Sequence, residues 1–167
     1  MPKGDFRFHT ILRVRWMEVD AQGIVYYGAY LDYMEVAQAA YYRNLGFSLY
    51  GLAQTGYFDT ATVKVTLEYK APARVEELLE VHFRVSAIGN TSITTDMEIY
   101  AENTGQLLTV GQAVYVGYDA SKGKKVPVPP DIREVVESYE RDGVVLPLER
   151  FPKLAAAAAG PTEREEG

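Results

Sequence analysis

The first apolar and polar positions of the chain alternate with the period of a β-strand. Between residues 7 and 17, one face carries mainly apolar side chains, namely Phe8, Thr10, Leu12, Val14 and Trp16. The opposite face is basic, with His9, Arg13 and Arg15. A period of two predicts a strand. The stretch "AQGIVYYG" then breaks the alternation, so we predict that a glycine-containing turn follows the strand.

From Ala29 to Leu45 the apolar spacing changes to steps of three and four residues, which predicts a helix. The residues that follow these steps are Leu31, Met34, Gln38, Tyr41 and Leu45. Gly46 is a suitable end for the helix, because glycine adopts the left-handed cap without a steric cost. Small and apolar residues occupy much of the circumference, so we predict a helix that other structure surrounds.

Four further runs alternate with a period of two and predict strands. They span residues 60–72, 78–87, 91–100 and 106–119. Pro72 ends the first run, and the last run is apolar on both faces, as is typical of a central strand. The links "IGN" and "ENTG" are short, so the last three runs are predicted to form antiparallel hairpins.

The C-terminal part of the chain predicts one short helix and a tail. Within residues 131–141, helical spacing relates Ile132, Val135, Val136 and Tyr139. The end, "LAAAAAGPTEREEG", has low complexity and many charges, which is typical of a frayed extension. We therefore predict a single domain over residues 1–143 and an extended tail over residues 144–167.

This order of elements predicts an α+β fold. A long helix that is apolar around most of its surface, followed by a meander of strands, indicates a five-stranded antiparallel sheet curled around that helix. A short helix follows the sheet. The two edges of such a sheet expose unpaired backbone groups, and pairing between two copies of the chain satisfies them.

Composition excludes several classes of function. The net charge of −6 argues against a nucleic-acid-binding protein, which usually has a basic face. The absence of cysteine excludes disulfides, thiol nucleophiles and thiolate metal sites, and two distant histidines argue against a metal centre. The chain begins without the apolar core of a signal peptide and has no run of transmembrane length, so we expect a cytoplasmic protein.

Acidic residues near the long helix are the candidates for chemistry. Asp20 follows the first strand, where an aspartate is also typical of a turn or helix cap. Glu35 lies within the helix, where it can also be a partly buried partner of an arginine. Asp32 lies in the first helical turn, where a negative charge suits the helix dipole and indicates a structural role. His9 and His82 are expected to be solvated or at an interface.

Longer stretches of the sequence resemble the hotdog-fold acyl-CoA thioesterases. The resemblance starts with "VRWMEVDAQGIVYYGAYLDYMEVA" and continues in "VTLEYKAPARVEELLEV" and "NTSITTDMEIY". It covers most of the chain, from about Leu12 to Asp119. The nearest groups are the 4-hydroxybenzoyl-CoA thioesterases and the related Tol–Pal-associated bacterial thioesterases.

The resemblance implies hydrolysis of an acyl-CoA thioester, with Asp20 as nucleophile or general base. It also implies that the backbone amide of Tyr27, aided by Gly28, polarises the thioester carbonyl. Tol–Pal-associated members usually have a histidine where this chain has Tyr27, whereas the hydroxybenzoyl type has an aromatic residue, as here. The arginine that often precedes "NTS" is also missing, because this chain reads "AIGNTS".

The remaining expectations concern the substrate, the assembly and the rival functions. The residues expected to bind substrate are Gly23, Val25, Tyr26, Tyr30, Glu35, Lys64, Lys70 and Arg74. The CoA thioester is the substrate, and no metal or other cofactor is implied. The resemblance implies a homodimer, with the active site at its interface, and a homotetramer. The rivals are an acyl-CoA or acyl-carrier binding protein without turnover, and a dehydratase, which normally needs a histidine near the helix.

Overall fold

A computed structural model describes residues 3–160 and begins the sheet with a shorter first strand than predicted. Strand β1 spans Phe8–Arg13. The chain then leaves the sheet and forms a 3₁₀ turn over Trp16–Glu18. Trp16 is therefore 78% exposed and does not continue the apolar face of the strand. The departure brings the segment that contains Asp20 to one end of the sheet.

The other four predicted strands are present and antiparallel. They are β2 (Thr60–Tyr69), β3 (Leu78–Ile88), β4 (Ser92–Ala101) and β5 (Leu107–Asp119). The order across the sheet is β1-β3-β4-β5-β2, and a two-residue strand β6 (Lys124–Lys125) adds to β5. This arrangement confirms the predicted α+β hotdog architecture and leaves β2 at an open edge.

Helix α1 spans Ala29–Leu45, as predicted, and ends at Gly46 with a φ of +106°. Its buried side chains pack on the concave face of the sheet; they are Ala29, Tyr30, Tyr33, Met34, Ala37, Tyr41, Tyr42 and Leu45. The helix is not surrounded on all sides, however. Leu31 and Val36 remain exposed, because the sheet curls around only one side of α1 and leaves an apolar stripe uncovered in the single chain.

Three further helices complete the described chain. Helix α2 spans Leu49–Gln54, and α3, which the sequence predicted, spans Pro130–Asp142. Helix α4 spans Pro152–Ala158 and buries Leu154 completely, so the prediction of an extended tail is wrong for this segment. The tail residues 161–167 lie outside the described part. No helix between residues 3 and 160 is sufficiently long and apolar to cross a membrane.

His82 is buried on the outer face of the sheet by the chain itself, although it was predicted to be solvated or at an interface. It is only 4% exposed. Phe6 contacts its ring edge-on at 5.9 Å, and the ring of His9 stacks on it at 4.9 Å. Its Nε2 lies 3.1 Å from Oε2 of Glu80. The N-terminal segment thus covers this face, which the alternation of residues within one strand does not reveal.

Candidate active site

The buried carboxylate of Glu18 holds the segment between β1 and α1 in place. Glu18 is 5% exposed, and its Oε1 accepts hydrogen bonds from the Arg15 amide at 2.8 Å and the Tyr33 hydroxyl at 3.0 Å. Burial favours the neutral acid, but the hydrogen bonds from Arg15 and Tyr33 outweigh it and lower the pKa of Glu18. The backbone carbonyl of Glu18 also accepts from the amide of Tyr26 at 3.0 Å. No motif or spacing in the sequence indicated a role for this residue.

Asp20 closes a tight turn and still presents its carboxylate at the surface. Its amide donates to the carbonyl of Ile24 at 2.9 Å, and Gly23, with a φ of +75°, donates back to the carbonyl of Asp20 at 3.0 Å. Oδ1 accepts from the amides of Gln22 at 2.8 Å and Ile24 at 3.4 Å. Oδ2 has no hydrogen-bond partner within residues 3–160. The turn role and a chemical role are therefore compatible, since they use different oxygens.

The start of helix α1 provides backbone N–H groups without acceptors. Gly28 is the N-cap residue of α1. Ala29 N–H donates to the carbonyl of Tyr26 at 3.0 Å, and the Tyr69 hydroxyl donates to the carbonyl of Tyr27 at 2.8 Å. Across the described part of the chain, the amides of Tyr27 and Gly28 donate to no protein acceptor. Such amides, together with the helix dipole, stabilise negative charge.

Asp20 and Tyr27 line the same cavity, whose volume is about 630 Å³. Its other lining residues are Ile24, Val25, Tyr26, Tyr30, Tyr69, Lys70, Ala71 and Pro72. The Tyr30 hydroxyl accepts from the amide of Ala73 at 3.2 Å, and the rings of Tyr30 and Tyr69 meet edge-on at 5.1 Å. Burial raises the pKa of Tyr30, so its hydroxyl stays neutral. The cavity therefore brings Asp20 and Tyr27, the residue before the N-cap of α1, together between aromatic walls.

The predicted basic residues are distributed unevenly around this cavity. Lys70 lines it, and its Nζ lies 2.8 Å from Oε2 of Glu68. The Arg74 side chain is exposed. The residue lies beside the Asp20 turn because its backbone pairs with that of Ile24. Lys64 is exposed in the middle of β2 and does not line the cavity. Lys70 and Arg74 therefore remain candidates for contacts with an anionic ligand.

Several predicted site residues lie elsewhere in the single chain. Glu35 lines a separate groove of about 360 Å³ between α1 and β2, together with Leu31 and Val65. It lies two turns beyond Gly28 along the helix and does not line the Asp20 cavity. Gly23 and Gly28 do not line the cavity themselves, but each adjoins a residue that does, Ile24 and Tyr27 respectively. Helical periodicity does not reveal which end of the helix meets the cavity.

Comparisons with known proteins agree with this architecture. The family model of the thioesterase-like superfamily matches residues 14–136. An acyl-CoA thioester hydrolase, YbgC, of Escherichia coli O6:H1 is 33% identical over 127 residues, which are 75% of this chain and 92% of that protein.

Solved structures show the same fold. A 1,4-dihydroxy-2-naphthoyl-CoA thioesterase from Synechocystis superposes with a TM-score of 0.74 at 22% identity, covering 80% of this chain and 98% of that one. A hypothetical protein from Aquifex aeolicus gives a TM-score of 0.71 at 26% identity, covering 77% and 98%. Because the identity is only 22%, the similarity to the Synechocystis thioesterase shows the fold alone. The family model and the Escherichia coli relative go further and establish that this chain belongs to the thioesterase-like superfamily.

Proposed function

We propose that this protein hydrolyses the thioester of an acyl-CoA to a free carboxylic acid and CoA. The observation that carries the proposal is the cavity of about 630 Å³ that both the Asp20 carboxylate and the unpaired amide end of α1 adjoin. The identity of 33% with an acyl-CoA thioester hydrolase supports it independently. We also propose that the enzyme acts in the cytoplasm.

A single carboxylate has two routes to this reaction. In the first, an oxygen of Asp20 attacks the carbonyl carbon, the C–S bond breaks and the CoA thiolate leaves; water then hydrolyses the mixed anhydride. In the second, Asp20 takes a proton from water as the water oxygen attacks the carbonyl carbon; the C–S bond then breaks, and Asp20 returns the proton to the departing thiolate. In both routes the amides of Tyr27 and Gly28 stabilise the negative oxygen that forms on the carbonyl.

The rival functions make different demands on the same cavity. A dehydratase needs a histidine near the helix, whereas His9 and His82 stack on each other on the outer face of the sheet. A binding protein without turnover needs the cavity but not the Asp20 carboxylate. Removing the charge of the Asp20 carboxylate therefore distinguishes the thioesterase, which should lose activity, from a binding protein, which should keep its affinity.

The direct test is a panel of CoA thioesters with short, long and aromatic acyl groups. Release of free thiol is measured with a chromogenic disulfide reagent, and we expect turnover of at least one class. The tyrosine-rich walls are compatible with aromatic and aliphatic groups alike, so the panel also identifies the acyl class. Binding of these thioesters without release of thiol from any of them would support the binding protein instead.

We propose that the enzyme is a homodimer formed along the open edge of β2 and that two dimers form a homotetramer. In the single chain Val63 is 55% exposed and Val65 is 37% exposed, and Val65 lines a groove together with the uncovered Leu31 of α1. An unpaired edge next to an apolar stripe favours association with a second copy. The active site then lies near the interface between the copies.

A charged residue on the α1-facing side of β2 is expected to separate the copies. Val65→Lys introduces an ammonium group into the groove that Leu31 and Val65 line, and burial of that charge against a second copy is costly. Light scattering should report a smaller assembly, and kcat should fall about tenfold or more. The neighbouring Thr66→Lys, on the opposite side of the strand, is the control. Unchanged mass and activity in Val65→Lys would refute the proposed interface.

A further inference from the structure

Tyr69 connects the end of β2 to the start of α1 by a single hydrogen bond. Its hydroxyl donates to the carbonyl of Tyr27 at 2.8 Å, although the two residues are 42 positions apart in sequence. Its ring lines the Asp20 cavity and meets the ring of Tyr30 edge-on at 5.1 Å. Burial and the nearby Tyr27 raise the pKa of Tyr69, which keeps the hydroxyl a donor.

The carbonyl of Tyr27 is excluded from the hydrogen bonding of the helix. Tyr27 precedes the N-cap residue Gly28, so its carbonyl is not part of the regular helical series. The Leu31 amide donates to the carbonyl of Gly28, at 3.2 Å. Among residues 3–160, the Tyr69 hydroxyl is therefore the donor that holds this carbonyl.

Holding that carbonyl also fixes the Gly28 amide, which directly follows the cavity-lining residue Tyr27. A peptide unit is planar and trans, so the direction of the Tyr27 carbonyl determines the direction of the Gly28 N–H. The preceding peptide is fixed separately, because the carbonyl of Tyr26 accepts from Ala29 at 3.0 Å. Residue 28 is a glycine, which permits rotation of the Tyr27–Gly28 peptide that a bulkier residue would resist. Tyr69 removes this freedom.

We propose that Tyr69 is a positioning residue of the thioesterase: its hydroxyl orients the Tyr27–Gly28 peptide so that the helix-start amides stabilise the oxyanion. This inference rests on the proposed function. Tyr69 touches no reacting atom in this scheme and acts through the backbone. Because the oxyanion exists only during the reaction, the hydroxyl should affect kcat and leave substrate binding unchanged.

Tyr69→Phe tests the proposal, because it removes the hydroxyl and keeps the ring that packs on Tyr30. We expect kcat to fall about tenfold, with KM and the Kd of a non-hydrolysable thioether analogue of acyl-CoA within about twofold of the wild type. The control is Tyr50→Phe, which removes an exposed hydroxyl that accepts from Gln54 at 3.0 Å in α2. An unchanged kcat, or a weaker analogue Kd that accounts for the loss, would overturn the proposal.

A second readout needs no turnover. In ¹³C,¹⁵N-labelled protein, Tyr69→Phe should shift the carbonyl carbon of Tyr27 and the amide of Gly28. The amide of Ala29 should change little, because its own hydrogen bond to Tyr26 remains. Unchanged Tyr27 and Gly28 signals would overturn the positioning role even in an active enzyme. If the wild type hydrolyses no thioester, the proposed function fails, while these spectra still report whether Tyr69 holds the peptide.

Discussion

Replacing Asp20 with asparagine is expected to reduce kcat by about three orders of magnitude or more. Asparagine keeps an oxygen that accepts from the amides of Gln22 and Ile24, so the turn should persist. What the substitution removes is the negative oxygen Oδ2, which either attacks the thioester or takes a proton from water. Thiol release under saturating substrate measures the loss.

Two further measurements test whether the loss of activity comes from the Asp20 carboxylate itself. The Kd of a thioether analogue of acyl-CoA should stay near the wild-type value in Asp20→Asn, because the cavity walls are unchanged. Asp32→Asn is the matched control: Asp32 is also exposed, lies in the first turn of α1 and does not line the cavity. Its activity should stay within about twofold of the wild type. Full activity in Asp20→Asn would show that the Asp20 carboxylate is not required for catalysis.

Removal of the Tyr27 amide is expected to reduce kcat by about 100- to 1,000-fold. An α-hydroxy acid with the tyrosine side chain, incorporated at position 27, replaces the backbone N–H with an ester oxygen. The side chain, the cavity and Asp20 remain, so only the donation to the developing oxyanion is lost. Single-turnover kinetics with the best CoA thioester of the panel measure the chemical step directly.

Two controls distinguish loss of the Tyr27 amide from effects of the Tyr27 side chain and from a general effect of a backbone ester. Tyr27→Phe keeps the amide and should retain kcat within about threefold, because the Tyr27 side chain is largely exposed. An ester at Tyr50 removes another first-turn amide, in the short helix α2 away from the cavity, and should leave kcat unchanged. Equal losses for the esters at positions 27 and 50 would contradict a specific oxyanion role.

Local patterns in the sequence were sufficient to predict most of the fold. The alternation in residues 60–119 and the helical spacing of Ala29–Leu45 both reflect side chains that are buried on one face of an element, which is a local property. Short links such as 102–105 permit only hairpins. The proximity of Asp20 to the start of α1 was also predictable, because a short turn joins them in the chain.

Features that depend on contacts between distant segments were not predictable in this way. Tyr69 lies within the predicted strand of residues 60–72, but its bond to the Tyr27 carbonyl depends on where β2 ends relative to α1. His82 was expected in solvent or at an interface, because the alternation within its strand does not show that Phe6 of the N-terminal segment covers it. Leu154 was assigned to an extended tail, although α4 packs it into the core. In each case the structure depends on a contact between segments that are far apart in the sequence.

The central claim is that the Asp20 carboxylate and the helix-start amides face the same reacting carbon. A crystal structure with an acyl-CoA analogue whose thioester sulfur is replaced by a methylene group, leaving a ketone, tests it most directly. We expect the ketone oxygen about 3 Å from the amide nitrogen of Tyr27 or Gly28 and a carboxylate oxygen of Asp20 about 3.5 Å from the ketone carbon. A ketone bound away from these amides, or an Asp20 carboxylate directed out of the cavity, would contradict the claim.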